Sequence, residues 1–215
     1  MLSAKEYNPK YSMYPKAACG DSKYRINSLA FTVPSATGVP LTLINGIAQG
    51  VSEHERIGNS ANIHCIQMNW AFNLPSSVGS TVFSDSVRII VVNDKQANSP
   101  ANPAGWGPAS PGGGVMELTE MVSPYNFDNV DRYDIIDDFV VDIKRVAAAG
   151  TSGNFVSGGV RKTLFKTYHG NWDTRFSGTT DGLASIASNA IQVIACTQQG
   201  LISCRVVWTC WYHDY

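Results

Sequence analysis

The chain has little charge, since only 15% of its 215 residues are Asp, Glu, Lys or Arg, against about a quarter in an ordinary soluble domain. Its 16 basic and 17 acidic side chains leave a net charge of -1. This balance excludes the global attraction to polyanions expected of a strongly basic nucleic-acid-binding protein. The polar surface must be mainly hydroxyl and amide, because 21 Ser, 13 Thr and 15 Asn outnumber the charged residues.

Cysteine pairing, secretion signals and long apolar runs are also lacking. The cysteines are odd in number and form no CxxC pair and no metal-ligand spacing with histidine: Cys19, Cys65, Cys196, Cys204 and Cys210. There is no apolar signal core over residues 1–10 and no Asn-x-Ser/Thr glycosylation site. Polar residues interrupt the longest uncharged runs, Ile57–Ser84 and Gly182–Cys204. We therefore expect free thiols, a reducing compartment and no membrane-spanning segment.

What the sequence does contain is alternation of apolar and polar residues with period two, bounded by clusters of Gly, Pro, Asn and Ser. Val87–Val92 is an exception, because this short run rich in β-branched residues predicts a strand buried on both faces. The pattern predicts an all-β protein: a single eight-stranded jelly-roll sandwich of two antiparallel sheets with long loops. Nine segments are candidates for these roughly eight strands: Leu29–Val33, one marked by Leu41, Leu43 and Ile47, Asn62–Phe72, Val87–Val92, Arg132–Ile136, Phe139–Ile143, Arg161–His169, Ala190–Thr197 and Ile202–Tyr212.

Helices and loops fill the remaining positions. Short helices are predicted at Val115–Met121 and Leu183–Ala187. The stretch Asn98–Gly114 contains four prolines and five glycines, too many to pair in a sheet, and predicts a long exposed loop. A second loop, rich in Ala, Gly and Ser, is predicted at Ala147–Gly159.

The residue types of catalytic sites are present but not grouped. The four histidines are dispersed and form no HxH pair or HExxH helix: His54, His64, His169 and His213. There is no Gly-x-Ser-x-Gly turn. The glycines at 112–114 lack the strand, Lys and Ser/Thr of a phosphate-binding loop. We predict no enzymatic activity and no cofactor.

Two segments carry local charge of opposite sign. Glu117–Asp142 holds eight acidic side chains against Arg132 alone. A divalent cation such as calcium is an alternative there, but the acids lack the spacing of a ligand loop, so no metal site is predicted. Lys144–Arg175 carries six basic residues against Asp173. These acidic and basic bands either meet across an interface between copies of the chain or pair within one subunit.

The N-terminal stretch has the residue types of a single-stranded nucleic-acid site. Its cations are interleaved with Tyr7, Tyr11, Tyr14 and Tyr24, so phosphates would meet charge and bases would stack on rings. The candidate nucleic-acid-binding residues are Lys5, Lys10, Lys16, Lys23 and Arg25. The alternative is a mobile or surface-draped terminus of the same composition.

Three segments together carry a resemblance to a known family. The first, Ile47–Met68, contains a G-x(n)-RIG-x(n)-I pattern formed by Gly50, Arg56, Ile57, Gly58 and Ile63. In Val87–Asn98 a strand is followed by Asp-Lys-Gln and a Gly/Pro-rich loop, and in Ser123–Asp138 an Asn-rich approach leads to an Arg-aromatic strand. These segments resemble the capsid proteins of circular, replication-initiator-encoding single-stranded DNA viruses, the circovirus-like group.

The resemblance implies a jelly-roll shell domain over residues 26–215 and an interior-facing arm over residues 1–25. It implies self-assembly into a small icosahedral virus-like particle, T = 1 with about sixty subunits, that encloses circular single-stranded DNA. The implied partners are other copies of the chain, the DNA and an unidentified host receptor, with no membrane. The implied location is the virion, assembled in the host cytoplasm or nucleus.

One departure from the family concerns the N-terminal arm. The family usually begins with a long Arg-rich arm, whereas residues 1–25 carry only three net positive charges and bind phosphates feebly per subunit. Packaging then relies either on an arm outside this sequence or on the inner wall, where many weak sites act together.

The alternative function is a lectin-like or cupin-like binding module. Its ligand would stack on loop aromatics such as Trp106, Trp172 or Trp211. Trp208 and Tyr212 are predicted to be core residues of the last strand. Trp211 is predicted on the opposite face of that strand, where it would pack on a neighbouring subunit.

Overall fold

The computed structural model describes residues 22–33, 39–74, 84–97, 105–107, 113–144 and 160–214. In these ranges the chain forms nine strands and two single 3-10 turns, at Phe127–Asn129 and Leu183–Ser185. The strands are β1 Lys23–Thr32, β2 Val39–Leu43, β3 Ser60–Leu74, β4 Ser84–Asp94, β5 Tyr133–Lys144, β6 Val160–Phe176, β7 Ile186–Ser188, β8 Ala190–Thr197 and β9 Ser203–Asp214.

The strands form two antiparallel sheets that alternate along the chain. The first sheet has the order β1-β9-β3-β6-β7 and the second has the order β2-β8-β4-β5. Strands β1 to β4 alternate between the two sheets, β4 and β5 are neighbours in the second sheet, and the last strand, β9, returns to lie beside β1. This is the strand order of a jelly roll, so the predicted fold class is confirmed.

Alternation in the long strands places one face of each sheet in a common core. Ile66, Met68, Trp70 and Phe72 are all buried along β3, as predicted. In β9 the buried residues include Cys204, Val206, Trp208, Cys210 and Tyr212, which confirms that Trp208 and Tyr212 are core residues.

The second sheet is buried on its outer side as well. A separate cluster of apolar side chains lies over that face: Ile90, Val92, Trp106, Val115, Met116, Tyr133, Ile194 and Cys196. Three of these, Trp106, Val115 and Met116, come from chain outside the strands. The prediction that Val87–Val92 is buried on both faces is therefore confirmed, and the cover explains why all of β8 is buried.

The predicted helix at Val115–Met121 is wrong. Both Val115 and Met116 are buried against the second sheet, and their amides donate to the carbonyls of Gly105 and Trp106 at 2.9 and 2.7 Å. These amides bond to a segment about ten residues earlier in the chain instead of to carbonyls four residues back, as a helix would require. The predicted helix at Leu183–Ala187 is instead a 3-10 turn followed by β7.

Two further differences concern the loop at Asn98–Gly114 and the number of strands. The prediction of an exposed loop at Asn98–Gly114 is wrong at Trp106, whose side chain is 0% exposed. Residues 98–104 and 108–112, and the loop predicted at Ala147–Gly159, lie outside the described residues. The strands predicted at Arg132–Ile136 and Phe139–Ile143 are one strand, β5, with a register shift opposite Val91 and Val92.

The described cysteines are buried free thiols: Cys65, Cys196, Cys204 and Cys210. Burial raises the pKa of Cys204 to about 12, which keeps that thiol protonated at neutral pH. No helical segment in the described ranges is long and apolar enough to cross a membrane.

Candidate functional site

Two of the five predicted nucleic-acid-binding residues lie within the described chain, in β1. Lys23 Nζ is 2.7 Å from Asp214 Oδ2, and Arg25 forms an ion pair with Asp181. The first strand therefore begins within the predicted arm of residues 1–25, and these two cations already have partners. The other three residues lie outside the described ranges: Lys5, Lys10 and Lys16. The assignment of the five to DNA stays a prediction.

The acidic band pairs with cations of the same subunit. Arg88 holds Asp138, Lys95 lies 3.0 Å from Asp134, and Lys166 lies 3.0 Å from Asp137. Of these cations only Lys166 belongs to the basic band. Three of the eight carboxylates of the acidic band are thus paired within the subunit, and the other five form no ion pair with the described residues. Among the described residues, no group of three or more His, Cys, Asp or Glu side chains could hold a metal ion.

Arg88 fastens the segment that covers the second sheet. Its guanidinium donates to both carboxylate oxygens of Asp138 and, through Nη1, to the carbonyls of Met121 and Ser123 at 3.0 and 2.8 Å. Tyr125 Oη also donates to Asp138, at 2.5 Å. Burial opposes ionisation of Asp138, but the hydrogen bonds from Arg88 and Tyr125 outweigh it and lower the pKa of this carboxyl. The segment around residues 121–125 is consequently held firmly on β4.

Large apolar side chains project from this fastened segment. We call Leu118, Val122, Phe127 and Val130 the apolar loop surface; Val122 and Phe127 are 77% and 75% exposed. A groove of about 270 Å³ lies beside it, between Val122 and the end of β8. Exposed apolar side chains that are concentrated in one segment typically mark an interaction surface.

Within the described part of the chain, no such cover lies over the outer face of the first sheet. Leu29, Met68, Leu164 and Trp208 pack into the core, so the residues between them point outward. We call the outward positions of the four long strands the open face: Ile26, Ser28, Ala30, Thr32, Gln67, Asn69, Ala71, Asn73, Arg161, Thr163, Phe165, Thr167, Ser203, Arg205, Val207 and Thr209. All 16 side chains are half-buried or exposed.

Two adjoining depressions on the open face have volumes of about 590 and 680 Å³. Both are lined by Arg161, Arg205 and Ala71. Phe165 and Val207 line only the smaller depression. The register places Arg161 opposite Asn73 and Arg205 opposite Ala71, so the two arginines flank β3 from either side. This pair is the candidate functional site of the face.

Sequence reasoning missed this site. Arg161 lies on β6 and Arg205 lies on β9. These strands come close only because β3 lies between them and pairs with both. Arg161 belongs to the basic band, and Arg205 occupies a polar position of the last predicted strand. Period-two alternation could have placed each on an outward face, but it does not contain the strand order that brings them together.

The aromatic residues proposed for a ligand-binding module are largely unavailable. Trp106 is fully buried and donates from Nε1 to the carbonyl of Glu120 at 3.1 Å. Trp211 lies opposite Tyr24 and Cys65, on the other side of β9 from Trp208 as predicted, but is only 8% exposed. Trp172 packs partly against the core. The prediction that Trp106 and Trp211 present their rings to a ligand is wrong, and little of Trp211 remains for a neighbouring subunit.

Two histidines stack at one end of the first sheet. The rings of His64 and His213 are 4.7 Å apart, and His64 Nε2 lies 3.1 Å from Ser22 Oγ, just before β1. Burial lowers the pKa of His64, and the nearby His213 and His169 lower it further. When the pH falls below about 6.5, the ordinary pKa of histidine, His64 is therefore protonated less in the folded state than in the unfolded state.

This arrangement predicts that stability falls as the pH is lowered from 7 to 5. The melting temperature, Tm, of the wild-type chain should decrease over this range, because protonating His64 is less favourable in the folded state than in the unfolded state. His64→Gln removes the group and should flatten the curve. Thermal unfolding at half-unit pH steps measures both proteins, and parallel curves would contradict the assignment.

Comparison with known proteins gives little further information. No protein-family model matches the chain, and no curated protein matches its sequence. A solved structure described as the 60-mer BFDV capsid protein aligns over 89% of this chain and 90% of that chain, with a TM-score of 0.30 and 9% identity. At that TM-score and identity, neither assembly nor partners transfer from that protein to this chain.

Proposed function

We propose that this chain is a viral capsid subunit that assembles with copies of itself into a closed shell. The jelly-roll strand order is compatible with this function, but capsid, lectin and cupin domains share that architecture. The observation that carries the proposal is the apolar loop surface, whose exposed side chains stand on a segment fastened by Arg88 and Trp106.

A fastened apolar surface is suited to contact between copies of the chain. Docking of a rigid surface costs less conformational entropy than docking of a mobile one. The low charge of the chain also agrees with this use, because the centres of interfaces are depleted in charged residues. When such a contact joins different patches of neighbouring copies, the assembly closes into a ring or shell if the rotation that relates one copy to the next is a whole-number fraction of a full turn.

The finer parts of the proposal come from the circovirus-like sequence motifs. We propose a T = 1 icosahedral shell of about sixty subunits that encloses circular single-stranded DNA. We place the protein in the virion, assembled in the host cytoplasm or nucleus, with outward loops contacting a host receptor. We propose no catalytic activity and no cofactor. A lectin-like or cupin-like module is less well supported, because two of its three proposed aromatic residues are buried.

Assembly tests the proposal directly. Electron microscopy of the purified wild-type chain should show uniform small spheres. The double variant Val122→Ser/Phe127→Ser should lose the spheres, because it removes apolar area from the proposed contact, while its Tm stays within about 2 °C of wild type since both side chains are exposed.

The matched control is Val51→Ser, which changes a side chain that is 98% exposed and lies outside the apolar loop surface. This variant should still form spheres. Equal loss in both variants would contradict the role of the apolar loop surface. A wild-type chain that stays monomeric by light scattering in every buffer would contradict the capsid function itself.

A further inference from the structure

The open face carries two cations and no carboxylate. Six other cations each pair with an aspartate: Lys23, Arg25, Arg88, Lys95, Arg132 and Lys166. Arg161 and Arg205 have no carboxylate within ion-pair distance among the described residues, and the open face itself contains no Asp or Glu. The charged side chains of this sheet face are therefore all cationic, although the net charge of the chain is -1.

We propose that the open face binds a single-stranded polynucleotide, with Arg161 and Arg205 contacting phosphates and Phe165 stacking against a base. The two arginines stand two strands and one outward row apart, which places their Cα atoms about 12 Å from each other. Phe165 is 55% exposed and lines the same depression as both arginines. Guanidinium groups and an exposed ring supply the phosphate and base contacts that sequence-tolerant single-strand binding needs.

The remaining side chains of the face complete this chemistry. Asn69, Asn73 and Gln67 bring amides that donate to or accept from base edges, and Ser and Thr residues surround them. Ala30 and Ala71 leave the floor low beside Arg205, so a chain of nucleotides can lie close to the sheet. The surface is long, shallow and open, which suits a polymer better than an enclosed small molecule.

A second copy of this chain fits the face less well. The centre of a protein interface is normally enriched in apolar and aromatic residues. Here the large apolar side chains are Ile26, Val207 and Phe165, separated by Ser, Thr, Asn and Gln. Three carboxylates of the acidic band, Asp134, Asp137 and Asp138, already pair with cations of their own subunit, which leaves fewer of them for the two arginines of another copy.

This inference rests on the proposed function in one respect: it takes the bound polynucleotide to be the packaged genome. It assigns the inner wall to the outer side of the first sheet. Two phosphate contacts per subunit are weak alone, but a shell presents many copies of them to one strand. Binding by this face would lessen the need for an Arg-rich arm.

The test measures binding of the full-length chain to fluorescein-labelled (dT)20 by fluorescence anisotropy between 50 and 400 mM NaCl. Arg161→Gln/Arg205→Gln should lower the magnitude of the slope of log affinity against log salt by about 1.4, since each single-strand phosphate contact contributes about 0.7. If the two proteins bind equally at 1 M salt, the double variant should bind roughly 25-fold more weakly than wild type at 0.1 M salt. Phe165→Ala should weaken binding at least about fivefold while leaving the slope unchanged.

The matched control is Lys144→Gln/Lys162→Gln, which removes the same charge from two exposed positions outside the open face. It should retain most of the affinity. Equal losses in the two double variants would show an effect of net charge alone and overturn the proposal, as would absence of oligonucleotide binding by the wild-type chain.

Particle formation, scored on the same samples by electron microscopy, separates this inference from the capsid proposal. Arg161→Gln/Arg205→Gln should still form spheres, with a lower ratio of absorbance at 260 to 280 nm. Loss of spheres with unchanged oligonucleotide binding would make the face a contact between copies and overturn the inference. If the wild-type chain bound the oligonucleotide but formed no spheres, and the double variant lost that binding, the binding site would be supported and the capsid function rejected.

Discussion

Replacement of Arg56 by Met should destabilise the fold by at least about 3 kcal/mol. Arg56 is fully buried, and its guanidinium donates to the carbonyls of Ile47, at 3.1 Å, and of Gly58 and Gly178. It also lies over the ring of Phe176, 4.0 Å from the centroid. Met leaves three carbonyls from separate parts of the chain without this donor, each at about 1–3 kcal/mol when buried.

Urea unfolding of three variants measures this effect. Arg56→Lys keeps the charge but has no planar fork of donors, so it should lose more than about 1 kcal/mol and less than the Met variant. Ile57→Thr, at the exposed neighbouring residue, should stay within about 0.5 kcal/mol of wild type. If Arg56→Met were as stable as Ile57→Thr, the guanidinium would not be the group that joins these segments.

Replacement of Trp106 by Ala should cost about 3–5 kcal/mol, the range measured for large aromatic residues in cores. Trp106 fills the centre of the cover over the second sheet and holds Glu120 through Nε1. Its loss leaves a cavity under the segment that carries the apolar loop surface. We therefore expect this variant to lose assembly as well as stability, because the surface is no longer supported.

Thermal unfolding and hydrogen exchange distinguish global from local effects. The Met116 amide, which donates to the carbonyl of Trp106 at 2.7 Å, should exchange faster in Trp106→Ala than amides of β3. Trp106→Phe keeps most of the volume and should lose much less stability. An unchanged Tm in Trp106→Ala would contradict the cover as a source of stability. Val122→Ser/Phe127→Ser, in contrast, should affect assembly alone.

The core could be predicted from sequence because a strand's alternation is a local property. Met68, Trp70 and Phe72 lie two positions apart, and successive side chains of a strand point to opposite faces whatever the strand pairs with. The same reasoning identified the last strand, whereas a run of β-branched residues indicated the two-sided burial of Val87–Val92. Turn-forming residues and irregular loops between these runs indicated a sandwich of two antiparallel sheets.

The candidate sites could not be predicted in this way. A Gly- and Pro-rich context around Trp106 indicated an exposed loop, whereas the side chain completes a cluster that exists only once the second sheet has formed. The signal for Arg56 was stronger, since its motif drew attention to it. Its partners Ile47 and Gly178, however, come from segments that only the folded chain brings together.

The sequence by itself determined which residues face inward along each strand, the all-β class and the shortage of charge. Only the tertiary structure decided that the second sheet is covered, that the first sheet is open, and that Arg161 and Arg205 share one face. The physical reason is that the direction of a side chain along a strand is set locally, by the alternation of successive residues between the two faces. Strand order depends on long-range pairing that buries both sheets at once.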